Sequence, residues 1–118
     1  ALGFTAGGAH VIRLGMVTSP ISYFSTFTVE GVSGGIMVTG SHNPPDYNGF
    51  KISFGKSTIF GQEIKELEKI ISKGDYSSGV GSEESIDILT PYVDRYKKEF
   101  AGLSQFPVVL DCGNGAAG

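Results

Sequence analysis

A three-layer α/β/α fold, with helices on both faces of a mixed and mainly parallel sheet, is predicted by three observations. An apolar run rich in Val, Ile and Leu at residues 10–17 is followed by a helical stripe and a second apolar run at residues 36–39. Strand, helix, strand is the grammar of a parallel sheet. Phe50, Ile52 and Phe54 then alternate with Lys51 and Ser53, as the two faces of a strand require. The connection back to that strand is too short for a crossover helix, so its pairing is expected to be antiparallel. Finally, residues 61–71 place Ile64, Leu67, Ile70 and Ile71 on one stripe with charges elsewhere, the pattern of a helix lying on a sheet.

Taken in order, residues 1–9 are broken by glycines and read as the tail of a helix. His10 stands at a strand entrance and is assigned a structural or solvated role. Thr18-Ser19-Pro20 punctuates the chain as a helix start, with Ser19 as the cap and Pro20 at the first helical position. Ile21, Phe24, Thr28 and Val29 give the next segment an imperfect helical stripe, and Gly31, Gly34 and Gly35 end it. Residues 73–85, rich in Gly, Ser and Asp, read as loop with a short extended piece at most. A domain boundary is placed near their end, giving units 1–86 and 87–118. A second helix is expected over residues 88–103, with Leu89, Tyr92, Val93, Tyr96 and Phe100 on one stripe. Val108-Val109-Leu110-Asp111 reads as a buried strand.

The chain has 118 residues, 40% of them hydrophobic and 18% charged, and a formal net charge of −3. Without basic clusters, nucleic acid is not the expected partner. No apolar run approaches the roughly 20 residues that a membrane helix needs, and no signal-peptide pattern is read at the start of the sequence. The single Cys112 cannot form an internal disulfide, which fits a reducing cytoplasm. The chain opens on Ala1 without an initiator Met and stops at Gly118, where a strand-loop unit should launch a helix. Both features suggest a piece of a longer protein.

The densest chemistry lies between the two apolar runs, in Thr39-Gly40-Ser41-His42-Asn43-Pro44-Pro45-Asp46-Tyr47-Asn48-Gly49-Phe50-Lys51. The two prolines forbid helix, and Asn48-Gly49 is a turn dipeptide. The loop therefore carries a hydroxyl, an imidazole, an amide and an ammonium between two strands. Glycine-rich backbone with Lys51 nearby suits an anion such as phosphate. Ser-His-Asn-Pro is also simply a good turn sequence. A serine-hydrolase elbow fits poorly, because Asn43 stands where the second glycine of Gly-x-Ser-x-Gly belongs.

This run closely resembles the phosphoserine loop of the α-D-phosphohexomutase family, and within it the bacterial phosphomannomutase/phosphoglucomutase branch. The phosphoglucosamine mutase branch usually carries a different ending, Asp-Asn-Gly-Ile-Lys. The resemblance covers nearly the whole chain, as the second half of one phosphohexomutase domain and the first helix and strand of the next. It implies an enzyme that interconverts hexose 1-phosphate and hexose 6-phosphate, of mannose or glucose, through a bisphosphorylated sugar. Ser41 would carry the transferable phosphate, with His42 and Lys51 as the acid/base candidates. Thr39, Gly40 and Asn43 would support phosphate binding, and Mg²⁺ would bind Ser41 through its phosphate.

The family's acidic metal loop, its sugar-selecting Gly-Glu-x-Ser-Gly-His loop and its last phosphate-gripping loop have no counterpart in these residues. The remaining domains of the same enzyme are thus expected partners, Mg²⁺ affinity of this chain is expected to be weak, and the isolated chain is expected to be inactive. Gly113-Asn114-Gly115-Ala116-Ala117-Gly118 formally matches the dinucleotide fingerprint, so a nucleotide-binding module is the alternative. The same stretch resembles the opening of the second phosphohexomutase domain, where the glycines serve a tight turn.

Overall fold

The computed structural model describes residues 1–113, 115 and 117, and it is α/β. In chain order the elements are α1 (Leu2–Ala6), β1 (His10–Arg13), α2 (Ser19–Thr28), β2 (Gly34–Val38), β3 (Phe50–Phe54), β4 (Ser57–Thr58), α3 (Gln62–Lys73), β5 (Ser82–Ser85) and α4 (Leu89–Glu99). The predicted sequence β1, α2, β2 is present, and parallel and antiparallel pairing both occur. The strands divide between two ladders, however, instead of joining one mixed sheet.

The first ladder pairs β1 in parallel with β5, Val11 opposite Glu83 and Ile12 opposite Glu84. A Ser-Glu-Glu-Ser strand has no apolar alternation, which is why residues 82–85 read as loop. What recruits it is its partner: Arg13 Nε meets Glu83 at 2.6 Å and His10 Nε2 meets Glu84 at 2.9 Å. His10 Nδ1 also lies 2.6 Å from the Ser82 hydroxyl. These pairs are exposed, so their worth lies in register more than in stability.

The second ladder carries the loop of interest. β2 and β3 pair antiparallel with Ile36 opposite Ile52, Met37 opposite Lys51 and Val38 opposite Phe50. The turn at Gly55 and Lys56, with Gly55 at φ +58°, then adds β4 as a short hairpin. A Gly-X pair between alternating residues was a hairpin signal open to sequence reading. Opposed residues share a face, so Ile36, Val38, Phe50, Ile52 and Phe54 line one side of this sheet and Met37, Lys51 and Ser53 the other.

Helix α2 packs on the side that carries Met37 and Lys51. Its hydroxyl residues, poor helix formers in themselves, are accommodated by bonding back to the preceding turn. The hydroxyls of Ser25, Thr26 and Thr28 donate to the carbonyls of Ser22, Tyr23 and Phe24 at 2.7–2.8 Å. Ser25 and Thr26 are thereby buried without an unsatisfied group. A Cβ at Gly35 would make ordinary contact with the Thr26 methyl of the helix at 3.6 Å and would crowd the Ser53 hydroxyl of the neighbouring strand at 3.2 Å.

Helix α4 is shorter than the predicted span. It is capped by Asp87, whose carboxylate accepts the N–H groups of Leu89 and Thr90 at 3.0 and 3.1 Å. Hydrogen bonds from Thr90 hold that carboxyl below its ordinary range. The predicted aromatic stripe packs as a ladder, with Phe24 of α2 edge-on to Tyr92 at 5.3 Å, then Tyr96 and Phe100. Ile21 and Ile88 line the adjoining hollow and are the buried apolar side chains among the described residues.

Much apolar surface stays open. Val38, Phe50 and Phe54 are 62%, 65% and 78% exposed, so the second sheet is covered on one side only. The stripe of α3 is as predicted in sequence, closed by Gly74 in the left-handed conformation. Ile64, Ile70 and Ile71 on it are nonetheless exposed. The radius of gyration is 17.3 Å, against about 13 Å for a compact domain of this length. Val108-Val109-Leu110, predicted as a strand, joins no ladder among the described residues, and Val109 is fully exposed. A strand exists through its partner, and no sheet edge reaches this run.

Candidate active site

The loop between β2 and β3 is built as a neck and two turns. Thr39 N–H bonds the Gly49 carbonyl at 2.9 Å and closes the neck. A Cβ on Gly49 would stand 2.9 Å from the Thr39 oxygen, and one on Gly40 would stand 2.8 Å from the Tyr47 oxygen. Both glycines are therefore required by close backbone approach. The first turn runs from Gly40 to Asn43, closed by the Asn43 N–H on the Gly40 carbonyl at 3.0 Å, and the second from Pro44 to Tyr47 at the same distance. Asn48-Gly49 does not form the predicted turn. The bends fall earlier, and Gly49 instead supplies the neck's acceptor.

Ser41 occupies the second position of the first turn with φ +53°, the one positive φ outside glycine among the described residues. Left-handed backbone is costly for a residue with a Cβ, and such strain concentrates at functional sites. Thr39 helps to hold it, because its hydroxyl accepts the Ser41 N–H at 3.1 Å. Ser41 Oγ lies 3.4 Å from His42 Nδ1, and both side chains are exposed at the loop tip, as is Asn43. The hydroxyl thus faces solvent with an imidazole beside it.

Of the six predicted site residues, Gly40, Ser41, His42 and Asn43 form one turn and Thr39 adjoins it at the neck. Lys51 does not touch them. It lies across the ladder from Met37, and its ammonium donates to the Ser19 hydroxyl at 3.0 Å. Ser19 itself is not the predicted cap: Thr18 is the N-cap residue, with extended φ and ψ. The Ser19 hydroxyl is turned toward the strands, where it also donates to Met37 Sδ at 3.3 Å.

Among the described residues no group of three or more His, Cys, Asp or Glu is poised to hold a metal ion. Ser41 is the one ligand that the resemblance implies in this loop, and a hard cation takes about six oxygens. The residues present do not by themselves make a magnesium site. At the carboxy-terminal glycine loop, Gly113 N–H is taken by Asp111 at 2.8 Å and Gly115 N–H by the Cys112 carbonyl at 2.8 Å. Asn114, Ala116 and Gly118 of that loop lie outside the described residues.

Three comparisons with known proteins agree on where this α/β unit belongs. The family model described as "Phosphoglucomutase/phosphomannomutase, alpha/beta/alpha domain I" matches residues 1–78. The phosphomannomutase/phosphoglucomutase of Pseudomonas aeruginosa is 46% identical over 116 residues, covering 98% of this chain and 25% of that protein. The phosphoglucomutase of Neisseria meningitidis serogroup B is 40% identical over 118 residues, with the same coverages. A crystal structure of a phosphoglucomutase/phosphomannomutase family protein from Burkholderia thailandensis superposes with a TM-score of 0.74 at 39% identity, over 80% of this chain and 22% of that one. The chain belongs to the phosphoglucomutase/phosphomannomutase family. It spans about a quarter of the length of the curated relatives it matches.

Proposed function

We propose that this chain supplies the phosphoryl-carrying loop of an enzyme that interconverts hexose 1-phosphate and hexose 6-phosphate, of mannose or glucose, through a bisphosphorylated sugar. The observation that supports it most is Ser41: a strained, exposed hydroxyl, its backbone tied by Thr39 and its Oγ beside His42. In the proposed cycle phosphorylated Ser41 gives its phosphoryl group to a sugar hydroxyl, whose proton passes to a base. The bisphosphate turns over, and Ser41 takes back the other phosphoryl group, returning a proton to the product oxygen. His42 or Lys51 serves as the base. Positioning and charge neutralisation carry most of such a transfer, and a phosphoserine bearing about −1.5 to −2 charges calls for cations.

Mg²⁺ belongs to this proposal for the full-length protein only. Its ligands beyond a phosphoryl oxygen on Ser41 would have to come from residues other than those of this loop. The phosphosugar site is likewise assigned to this loop acting with the remaining domains, and the 118-residue chain alone is proposed to be inactive. A coupled assay tests this: the full-length protein should turn over mannose and glucose phosphates and the isolated chain should not. Preference for glucosamine phosphate would move the assignment to the phosphoglucosamine mutase branch. Dinucleotide binding in a titration would favour the glycine-loop module, for which the mutase reading expects no signal.

A further inference from the structure

The Ser19 hydroxyl is spare as far as its own helix is concerned, since Thr18 holds the N-cap position and Ser19 makes no capping bond. It is instead the meeting point of three elements. Lys51 Nζ of β3 lies 3.0 Å from Ser19 Oγ, and Met37 Sδ of β2 lies 3.3 Å from it. The polarity of this row is fixed by chemistry. An ammonium has only protons to give and a thioether has none, so the hydroxyl accepts from Lys51 and donates to Met37. Met37 and Lys51 are direct cross-strand partners, one pair in from the end of the ladder where the Ser41 loop departs.

From this geometry we propose that Ser19 is a positioning residue for Lys51, fixing the ammonium at the base of the Ser41 loop. The inference rests on the mutase reading above. An exposed lysine carries much rotamer freedom and no preferred direction. A hydrogen bond from a helix that lies outside the loop removes much of that freedom. The cation then stands ready on the α2 side of the sheet whether or not Ser41 bears a phosphoryl group. Ser19 touches neither substrate nor reacting atom. It acts through Lys51.

The test is a double-mutant cycle in the full-length protein, with rates read in single turnovers so that slow variants remain measurable. Ser19→Ala should lower kcat about three- to tenfold, the reach of one net hydrogen bond, and leave KM for the sugar phosphate unchanged. Ser19→Thr, which keeps the hydroxyl, should restore the rate to within about twofold. In a Lys51→Met background, Ser19→Ala should have no further effect, because the two residues act as one. The same loss in both backgrounds, or no loss from Ser19→Ala, would overturn the inference. Ser41→Ala separates the two levels. Turnover surviving that change refutes the mutase reading itself, whereas its abolition together with an additive cycle refutes only the role of Ser19.

Discussion

Ser41→Gly should make the loop open less often than Ser41→Ala does, although both remove the hydroxyl. Ser41 sits at φ +53°, a conformation that costs a residue with a Cβ about 1–2 kcal/mol. Glycine escapes that cost but loses about 0.5–1 kcal/mol more chain entropy when ordered. Alanine keeps the Cβ and therefore the strain. The difference leaves the glycine variant ahead by about 0.5–1 kcal/mol in the local opening equilibrium. The assay is amide hydrogen exchange at Thr39 and Asn43, whose N–H groups bond the Gly49 and Gly40 carbonyls across the neck and the first turn. Exchange reports local opening, so these two amides should exchange about two- to fivefold more slowly in Ser41→Gly than in Ser41→Ala. Equal rates, or faster exchange in the glycine variant, would mean that Ser41 carries no backbone strain.

Three further outcomes are expected. Gly40→Ala should shift the loop, because its Cβ would meet the Tyr47 backbone oxygen at 2.8 Å, and the full-length variant should lose phosphoryl uptake while keeping its helical circular dichroism. The isolated chain should bind a hydrophobic dye through the open face of Val38, Phe50 and Phe54, and Val38→Thr with Phe54→Ser should reduce that binding without loss of helix. The start of α4 should loosen in acid: the Asp87 carboxyl is held low by its bonds from Thr90, so its stabilisation is present above the unfolded carboxylate value near 3.9 and fades as pH falls through the lower folded value. Amide shifts of Leu89 and Thr90 would follow this transition, and Asp87→Ala would abolish it.

The loop was legible because its chemistry is local. Two prolines, two glycines at a neck and a Ser-His pair constrain one another within a dozen residues, and the alternation of Phe50, Ile52 and Phe54 set the register of the strand beside it. Amphipathic α3 and the aromatic stripe of α4 were legible for the same reason of period. Non-local partnership was not. Residues 82–85 become a strand by pairing with β1, where Arg13 and His10 meet their glutamates, and residues 108–110 join no ladder because no edge meets them. Ser19 was misread as a cap because sequence shows that a hydroxyl stands at a helix start without showing which way it turns. Lys51 was placed with Ser41 by its nearness in sequence and by resemblance, and neither shows that its ammonium reaches Ser19 of α2.

Whether a phosphoryl group resides on position 41 can be measured directly. Intact-mass and peptide mass spectrometry of the full-length protein, incubated with a hexose bisphosphate, should find one phosphate on the peptide containing Ser41, discharged when hexose monophosphate is added and missing in Ser41→Ala. A phosphate that persists in that variant, or turnover with Ser41 never modified, would contradict the account.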